Sequence, residues 1–133
     1  MHYRMFDRCK EISYAMYSEV IWHRCTHFAF LIKNNRIQHI GWNKSKTHPL
    51  NYKFPYKPTY GPNNEIGLHA ELDVCLKSRK DNLYNFEMVV LRIDMNNTIN
   101  TSKPCTGCES VVRQMNVGRV WYSNELGNFE LLS

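Results

Sequence analysis

Apolar residues recur near helical spacing in the first part of the chain, which predicts a helix from about Arg4 to Trp22. Two further apolar runs, HFAFLIK and RIQHIGW, are separated only by Asn34 and Asn35. An Asn-Asn pair between two such runs is a signal for a tight turn. We therefore expect two antiparallel strands joined as a hairpin.

The middle of the chain, residues 43–66, contains four of the five prolines and shows no periodic pattern. A loop of that length in a compact domain is unusual and is often functional. Beyond it, the pattern predicts a helix from about Leu68 to Arg79, a strand in FEMVVLRID, a helix from Pro104 to about Asn116, and strands in RVWYS and NFELL.

These elements follow the order α-β-β-α-β-α-β-β and predict a single α/β domain over residues 1–133, with a five-stranded mixed sheet covered by helices. The third and fourth strands are joined through a helix, so they should be parallel. Only residues 124–127 separate the fourth strand from the fifth. Because this connection is too short for a crossover, strand 5 should run antiparallel to strand 4.

Charge is distributed unevenly along this basic chain, whose formal net charge is +5. Residues 20–64 contain seven Lys or Arg residues and no Asp or Glu. That segment is either a solvated face or a surface that binds phosphate. Within it, Lys46 is either solvated or a point-charge ligand for phosphate. His48 either packs the loop or contacts a substrate.

The N-terminal region and the cysteines indicate the cellular compartment of the protein. The first 20 residues contain no uninterrupted apolar segment, and no run of 18 apolar residues occurs anywhere. We therefore expect neither a signal peptide nor a transmembrane helix. Five cysteines, an odd number, argue against a disulfide framework. These features predict a cytoplasmic protein with no membrane partner.

Three residues supply the ligand set of a catalytic zinc site: His69 in HAE, and Cys105 and Cys108 in PCTGC. Zinc prefers nitrogen and sulfur ligands, and catalytic sites use three protein ligands and a water molecule. The two cysteines fall in the first turn of a predicted helix, where they share a face and where thiolates are favoured. Glu71 follows closely after His69 and is placed to move a proton rather than to bind the ion.

A Cys-x-x-Cys pair alone is also typical of redox motifs and of structural zinc sites. A structural site needs a fourth protein ligand. Cys75 should face away from His69, because the residues between them turn an ideal helix through about 240°. His48, Cys9 and Cys25 stay open as fourth ligands. The glutamate of HAE has no role in a structural site and favours the catalytic alternative.

The combination of HAE with PCTGC, on two predicted helices separated by one strand, resembles the cytidine/deoxycytidylate deaminase superfamily of zinc-dependent hydrolases. The resemblance covers most of the chain, from FAFLIKNNRIQHIGWN to RVWYSNELGNFELL. NKSKTHPL together with SKPC is most similar to small deaminases of bacteriophages and bacteria. The resemblance implies a three-layer α-β-α cytidine deaminase-like fold, and a host cytoplasm if a phage encodes the chain.

Two features point to different branches of that superfamily. Histidine at position 69 is typical of the deoxycytidylate and nucleic-acid-editing branches, whereas the short gap before strand 5 resembles the cytidine branch. By position, the resemblance implies that His69, Cys105 and Cys108 hold Zn²⁺ and that Glu71 carries protons. It also implies a set of substrate-binding residues, namely Asn43 at the sugar or base, and Ala70, Ser102 and Lys103 at the pyrimidine edge. Relatives assemble into oligomers, so a homo-oligomer is expected.

The expected function is hydrolytic deamination of a small-molecule cytosine nucleotide such as CMP or dCMP, which gives the uracil product and ammonia. An alternative within enzymes is deamination of cytosine or adenine in single-stranded DNA or RNA, which needs a basic groove and stacking aromatic residues. An alternative of another class is a zinc-stabilised binding protein without turnover.

Overall fold

The computed structural model describes residues 4–18, 26–43 and 69–133, which form three helices and six strands. In chain order these are α1 (Arg4–Tyr17), β1 (Thr26–Lys33), β2 (Arg36–Trp42), α2 (Ala70–Ser78), β3 (Glu87–Ile93), β4 (Ile99–Asn100), α3 (Thr106–Gln114), β5 (Arg119–Ser123) and β6 (Phe129–Leu131). Most of the predicted loop over 43–66, including Lys46 and His48, lies outside the described residues.

The strands form one mixed sheet in the order β2-β1-β3-β5-β6, and β4 pairs with the end of β3. β3 and β5 are parallel, as the crossover through α3 predicted. β5 and β6 are antiparallel, which confirms the inference from their short connection. The remaining pairs, β1 with β2 and β1 with β3, are antiparallel.

Two sequence-based predictions are corrected by the structure. The sheet has six strands rather than five, because the two-residue β4 is too short to produce a periodic signal. The first helix ends at Tyr17 rather than near Trp22, and Ser18 is in a turn where its hydroxyl donates to the carbonyl of Ala15. Trp22 itself lies outside the described residues. The apolar spacing continued past the helix end, since periodicity alone carries no stop signal.

The β1–β2 hairpin turns at Asn34 and Asn35, as predicted. Both residues have positive φ, 52° and 58°. A two-residue turn with positive φ at both positions is the type whose twist matches a β-hairpin, and asparagine tolerates that conformation better than most residues. This hairpin fixes the register that brings Phe28 opposite Trp42.

Helices cover both faces of the sheet, which gives three layers. Alternate residues of β1 and β3 contact α1 on one face, and the intervening residues contact α2 and α3 on the other. The α1 side contains the buried cluster Met5, Cys9, Phe28, Phe30, Ile32, Val89, Leu91, Ile93 and Ile99. The opposite cluster includes Ala29, Leu31, Val74, Met88, Val90, Cys108 and Val111. No helix in the described part of the chain is long and apolar enough to cross a bilayer.

α2 lies unusually close to β2, and Gly41 makes this approach possible. A Cβ atom at Gly41 would be 2.6 Å from the backbone nitrogen of Val74 and 2.9 Å from the carbonyl oxygen of Ala70. Asp73 holds the same contact from the helix side, since its Oδ2 accepts a hydrogen bond from the backbone N–H of Trp42 at 3.1 Å. Lys77 pairs with Asp73 at 3.2 Å and donates to the carbonyl of Ile40. The start of α2 is thereby positioned against the end of β2.

Gly41→Ala should therefore displace α2 and the residues at its start. The added methyl group meets backbone atoms that cannot rotate away, so we expect a loss of about 1–3 kcal/mol of unfolding free energy. Urea unfolding measures the loss, and metal binding should weaken in parallel. Gly127→Ala is the matched control, because Gly127 has φ +78° and open space around its Cα. That variant should lose stability through backbone strain while its metal affinity stays at the parent value.

Candidate active site

The candidate site lies where two helix N-termini meet at one end of the sheet. His69 immediately precedes α2, Cys105 immediately precedes α3, and Cys108 lies in the first turn of α3. β3 and β5 are parallel, so the chain enters both α2 and α3 from the same side of the domain. The structure thus brings His69 together with two cysteines that lie more than thirty positions further along the chain.

The distances from His69 Nδ1 to the two cysteine sulfur atoms suit a tetrahedral zinc ion. His69 Nδ1 lies 3.3 Å from Cys108 Sγ and 3.6 Å from Cys105 Sγ, and all three atoms lie within 4.8 Å of one another. Zinc–sulfur bonds of about 2.3 Å and zinc–nitrogen bonds of about 2.0 Å in a tetrahedron place such atoms about 3.5–3.8 Å apart. The residues fit a metal ion, and the group they form in the described part of the chain has three members.

Two of the residues considered as a fourth zinc ligand, Cys9 and Cys75, can be located in the structure. Cys9 is buried between α1 and the sheet, on the face opposite the metal group. Cys75 is buried in the core beside α2, and, as its helical position predicted, it is not a member of the group. His48 and Cys25 lie outside the described residues. Among the described residues the group has three ligands, which leaves a fourth coordination position open to a water molecule, as in catalytic zinc sites.

The electrostatics of the group favour metal binding. The pKa of Cys105 is lowered to about 4, first by hydrogen bonding from Cys108 and further by hydrogen bonding with His69, although partial burial opposes this. Burial alone would lower the pKa of His69, but hydrogen bonding and charge attraction with Cys105, together with the charge of Glu71, raise it overall. The thiolate form that zinc needs is therefore already present at Cys105 near neutral pH.

Cys105 should be the most reactive of the described cysteines in metal-free protein. It is exposed and its pKa is about 4, whereas burial raises the pKa of Cys9 and of Cys75 to about 12. Iodoacetamide should modify Cys105 at a nearly constant rate from pH 5 to pH 8, since its thiolate fraction barely changes there. Peptide mass spectrometry identifies the modified residue, and one equivalent of zinc should protect it. Faster modification of Cys9 or Cys75 would contradict this site geometry.

Glu71 lies in the first turn of α2 with only 4% of its surface exposed. Burial raises the pKa of its carboxyl group, while hydrogen bonding with the Cys108 side chain and the charge of His69 oppose that rise. These contacts place the carboxyl group against the metal group without making it a ligand. A buried carboxyl group in this position can accept a proton from a bound ligand and return it, which is the property of a general acid–base.

Asn43 and Ala70 border the same site. The Asn43 side-chain oxygen accepts a hydrogen bond from the backbone N–H of His27 at 2.8 Å. This bond orients the amide and leaves its NH₂ group as a donor. Ala70 is buried and is the first residue of α2. Its backbone N–H therefore has no partner within the helix and can donate to a ligand.

Ser102 was predicted to bind the substrate, but its side chain is already hydrogen-bonded within the protein. Its hydroxyl contacts the carbonyl of Val90 and the Ser123 hydroxyl, each at 2.8 Å, and its backbone N–H donates to the carbonyl of Ser123. The side chain thus connects the segment before α3 to β3 and β5, so any ligand contact must come from its carbonyl oxygen. Lys103 is exposed beside it. Ser102 thereby fixes the position of the Pro104-Cys105 turn.

Sequence reasoning missed three residues that the structure places near the site: His27, Asp73 and Arg92. Asp73 anchors α2 to β2, as described above. His27 and Arg92 are neighbours on adjacent strands, on the face that carries α2 and α3. A contact between distant strands leaves no local pattern, so the sequence offered no signal for this pair.

No protein-family model matches the sequence, and no curated protein sequence matches it. Solved structures do match. The dCMP deaminase of the cyanophage S-TIM5 in its apo form is 22% identical, with a TM-score of 0.57 over 94% of this chain and 86% of that one. The same protein in complex with dCMP and dUMP gives a TM-score of 0.60 at 22% identity, over 94% of this chain and 85% of that one.

A second protein gives a similar match. Cytidine deaminase from Burkholderia pseudomallei is 16% identical, with a TM-score of 0.59 over 100% of this chain and 92% of that one. At these identities the likeness establishes the fold, and the matches extend over nearly the whole chain. The chain therefore has the fold of the cytidine/deoxycytidylate deaminase superfamily.

Proposed function

We propose that this chain is a zinc-dependent hydrolytic deaminase of a cytosine mononucleotide of the CMP or dCMP type. The observation that carries the proposal is the buried carboxyl group of Glu71 beside a three-ligand group. A site that only stabilises a fold needs a fourth ligand and no proton carrier. A hydrolytic site needs an open coordination position and a general acid–base.

His69, Cys105 and Cys108 would hold the zinc ion. Bound there, zinc supplies the Lewis acidity that makes a water molecule nucleophilic near neutral pH. Glu71 would take a proton from the attacking water molecule as the water oxygen forms a bond to C4 of cytosine, and would give that proton to the ring nitrogen N3. It then carries the second proton of the water to the amino group, the C4–N bond breaks, and ammonia leaves. The products are uracil and ammonia, with atoms and charge balanced.

The backbone around the site would hold the base in place. The N–H of Ala70, unused within α2, can donate to the carbonyl oxygen of the pyrimidine. Asn43, oriented by the backbone of His27, can donate its NH₂ group to a sugar hydroxyl. Both contacts are made by groups that are already fixed, so little conformational freedom is lost when a nucleotide binds.

The choice of a mononucleotide rests on three observations. Residues 20–64 are basic and free of acidic residues, which suits a phosphorylated substrate. One protein of similar fold has been crystallised with dCMP and dUMP. A net charge of +5 is modest for a protein that binds nucleic acid.

Turnover on matched substrates tests this choice. The zinc-loaded protein should release ammonia from CMP or dCMP with a higher kcat/KM than from cytidine or deoxycytidine. Equal or better use of the free nucleosides would show that the phosphate assignment is wrong. Conversion of cytosine or adenine in labelled single-stranded DNA or RNA, without turnover of mononucleotides, would favour nucleic-acid editing instead. The two readouts can be run on one protein preparation.

A further inference from the structure

Three polar residues lie in a row across the site end of the sheet. Asn43 follows β2, His27 is in β1 and Arg92 is in β3. The registers that pair Phe28 with Trp42, and His27 with Arg92, place the three beside one another. Residues opposite one another in antiparallel strands have Cβ atoms about 5 Å apart. We call this set the polar row.

The polar row faces α2 and α3. In β1, His27 alternates with Ala29 and Leu31, which belong to the core on that side. In β3, Arg92 likewise follows Met88 and Val90 on the same face. The polar row therefore lies on the face that carries the metal group, at the end where α2 begins.

Among the described residues, no hydrogen-bond partner is present for one buried donor of the Arg92 side chain. It is only partly exposed, and its Nε atom is buried without a hydrogen-bond partner. Across residues 4–18, 26–43 and 69–133 no carboxylate forms an ion pair with it. An arginine side chain has five N–H donors and no acceptor, and a buried donor without a partner costs free energy. The group is therefore built to receive an acceptor that the described residues do not supply.

Asp94 is a carboxylate whose charge interacts with Arg92, but its oxygens already accept hydrogen bonds from other groups. Asp94 accepts hydrogen bonds from the backbone N–H groups of Asn96 and Thr98 and from the side chain of Asn100. These contacts lower the pKa of Asp94, and Arg92 makes the smallest contribution. Asp94 therefore stabilises the turn between β3 and β4 and forms no ion pair with Arg92.

His27 lies close enough to both Arg92 and the metal group for the charges of both to affect its pKa. The pKa of His27 is lowered to about 4, chiefly by burial and further by the charges of Arg92 and His69, while the charge of Cys105 opposes this shift. His27 is therefore neutral at physiological pH and adds no charge of its own. Within the set Asn43, His27 and Arg92, the arginine is therefore the one charged member.

We propose that Arg92 is the residue that binds the phosphate group of the nucleotide substrate and so determines the preference for nucleotides over nucleosides. This inference rests on the proposed function. A guanidinium group presents a planar fork that matches phosphate oxygens with two parallel hydrogen bonds, which an ammonium group cannot do. Asn43 and Arg92 are two strand spacings apart, about 10 Å. A nucleoside monophosphate can cross that span, with its sugar at Asn43 and its phosphate at Arg92.

The test compares binding of dUMP and deoxyuridine, the products of the proposed reaction, by the rise in Tm and by titration calorimetry on the zinc-loaded full chain. The parent protein should bind dUMP more tightly than deoxyuridine. Arg92→Gln should weaken binding of dUMP by about tenfold or more and leave that of deoxyuridine within about twofold. Arg92→Lys should retain an intermediate affinity for dUMP, because it keeps the charge and loses the fork.

Arg119→Gln is the matched control. Arg119 lies at the opposite end of the sheet, where its exposed side chain pairs with Glu87 at 3.7 Å. That variant should bind both ligands as the parent does. Equal affinity of the parent for dUMP and deoxyuridine would overturn the inference. If Arg92→Lys lost affinity for dUMP and for deoxyuridine in parallel, the inference would also be overturned, because Arg92 would then only maintain the fold.

The same experiment separates this inference from the proposed function. If dUMP binds through Arg92 but the parent releases no ammonia from dCMP, the assignment of Arg92 stands and the deaminase proposal fails. If the parent deaminates dCMP and Arg92→Gln changes neither dCMP nor deoxycytidine turnover, the deaminase proposal stands and the assignment of Arg92 is wrong.

Discussion

Glu71→Gln is expected to reduce deamination at least a hundredfold while the protein stays folded and retains its zinc. The substitution keeps the size and hydrogen-bonding shape of the side chain but removes the group that accepts and returns the proton. Positioned general acid–base groups contribute about 10²–10⁴-fold to rate. Ammonia release at saturating dCMP measures the loss, and metal analysis of the same preparation shows that zinc remains. Undiminished turnover would remove Glu71 from the mechanism.

Stability provides an independent check on Glu71 in the metal-free protein. Burial raises the pKa of this carboxyl group above its usual value of 4.5. The unfolded chain therefore loses the proton at lower pH than the folded chain does. The protonated Glu71 carboxyl group therefore contributes to the free energy of unfolding. This contribution is fully present below the unfolded-state pKa and is lost as pH rises through the folded-state pKa. Glu71→Gln should remove this loss, so its Tm at pH 7 should equal or exceed that of the parent.

Cys108→Ala is expected to abolish zinc binding and the stability that zinc provides. Cys108 is 1% exposed and its sulfur lies 3.3 Å from His69 Nδ1. A ligand that binds only the folded state stabilises it by about 4 kcal/mol at a thousandfold excess over its Kd. The parent should therefore show a large rise in Tm when zinc is added, and Cys108→Ala should show none. Differential scanning calorimetry with and without a chelator makes the comparison.

Cys75→Ala is the matched control for that substitution. Cys75 is 3% exposed, lies in the same core cluster as Cys108, and is not a member of the metal group. Both variants remove one buried sulfur, so both should lower the Tm of the metal-free protein by a similar amount. Only Cys108→Ala should lose the response to zinc. The same loss in Cys75→Ala would place the metal elsewhere.

The features that could be predicted from the sequence are those with a local signal. Asn34 and Asn35 predict the hairpin because few other residues tolerate positive φ at both turn positions. The parallel arrangement of β3 and β5 follows from the helix between them. The metal group could be predicted because each half, His-x-Glu and Cys-x-x-Cys, is a short motif at a helix start. The structure then showed that the two starts are adjacent.

The features that could not be predicted depend on contacts between distant parts of the chain. β4 consists of two residues and exists only because it pairs with the end of β3. Ser102 was predicted to lie near the base, but that it bonds to Val90 and Ser123 is visible only once β3 and β5 are placed. The position of Arg92 near the site could not be predicted, because it depends on the strand register that pairs Arg92 with His27.

The central claim is that a zinc ion held by His69, Cys105 and Cys108 serves the deamination of cytosine. The most direct measurement is ammonia release from CMP and dCMP by protein whose zinc content is determined on the same sample. The account predicts one zinc per chain, conversion of the substrate to the uracil nucleotide, and loss of both zinc and turnover in His69→Ala. A folded protein that binds one zinc per chain and releases no ammonia from any cytosine nucleoside or nucleotide would contradict it.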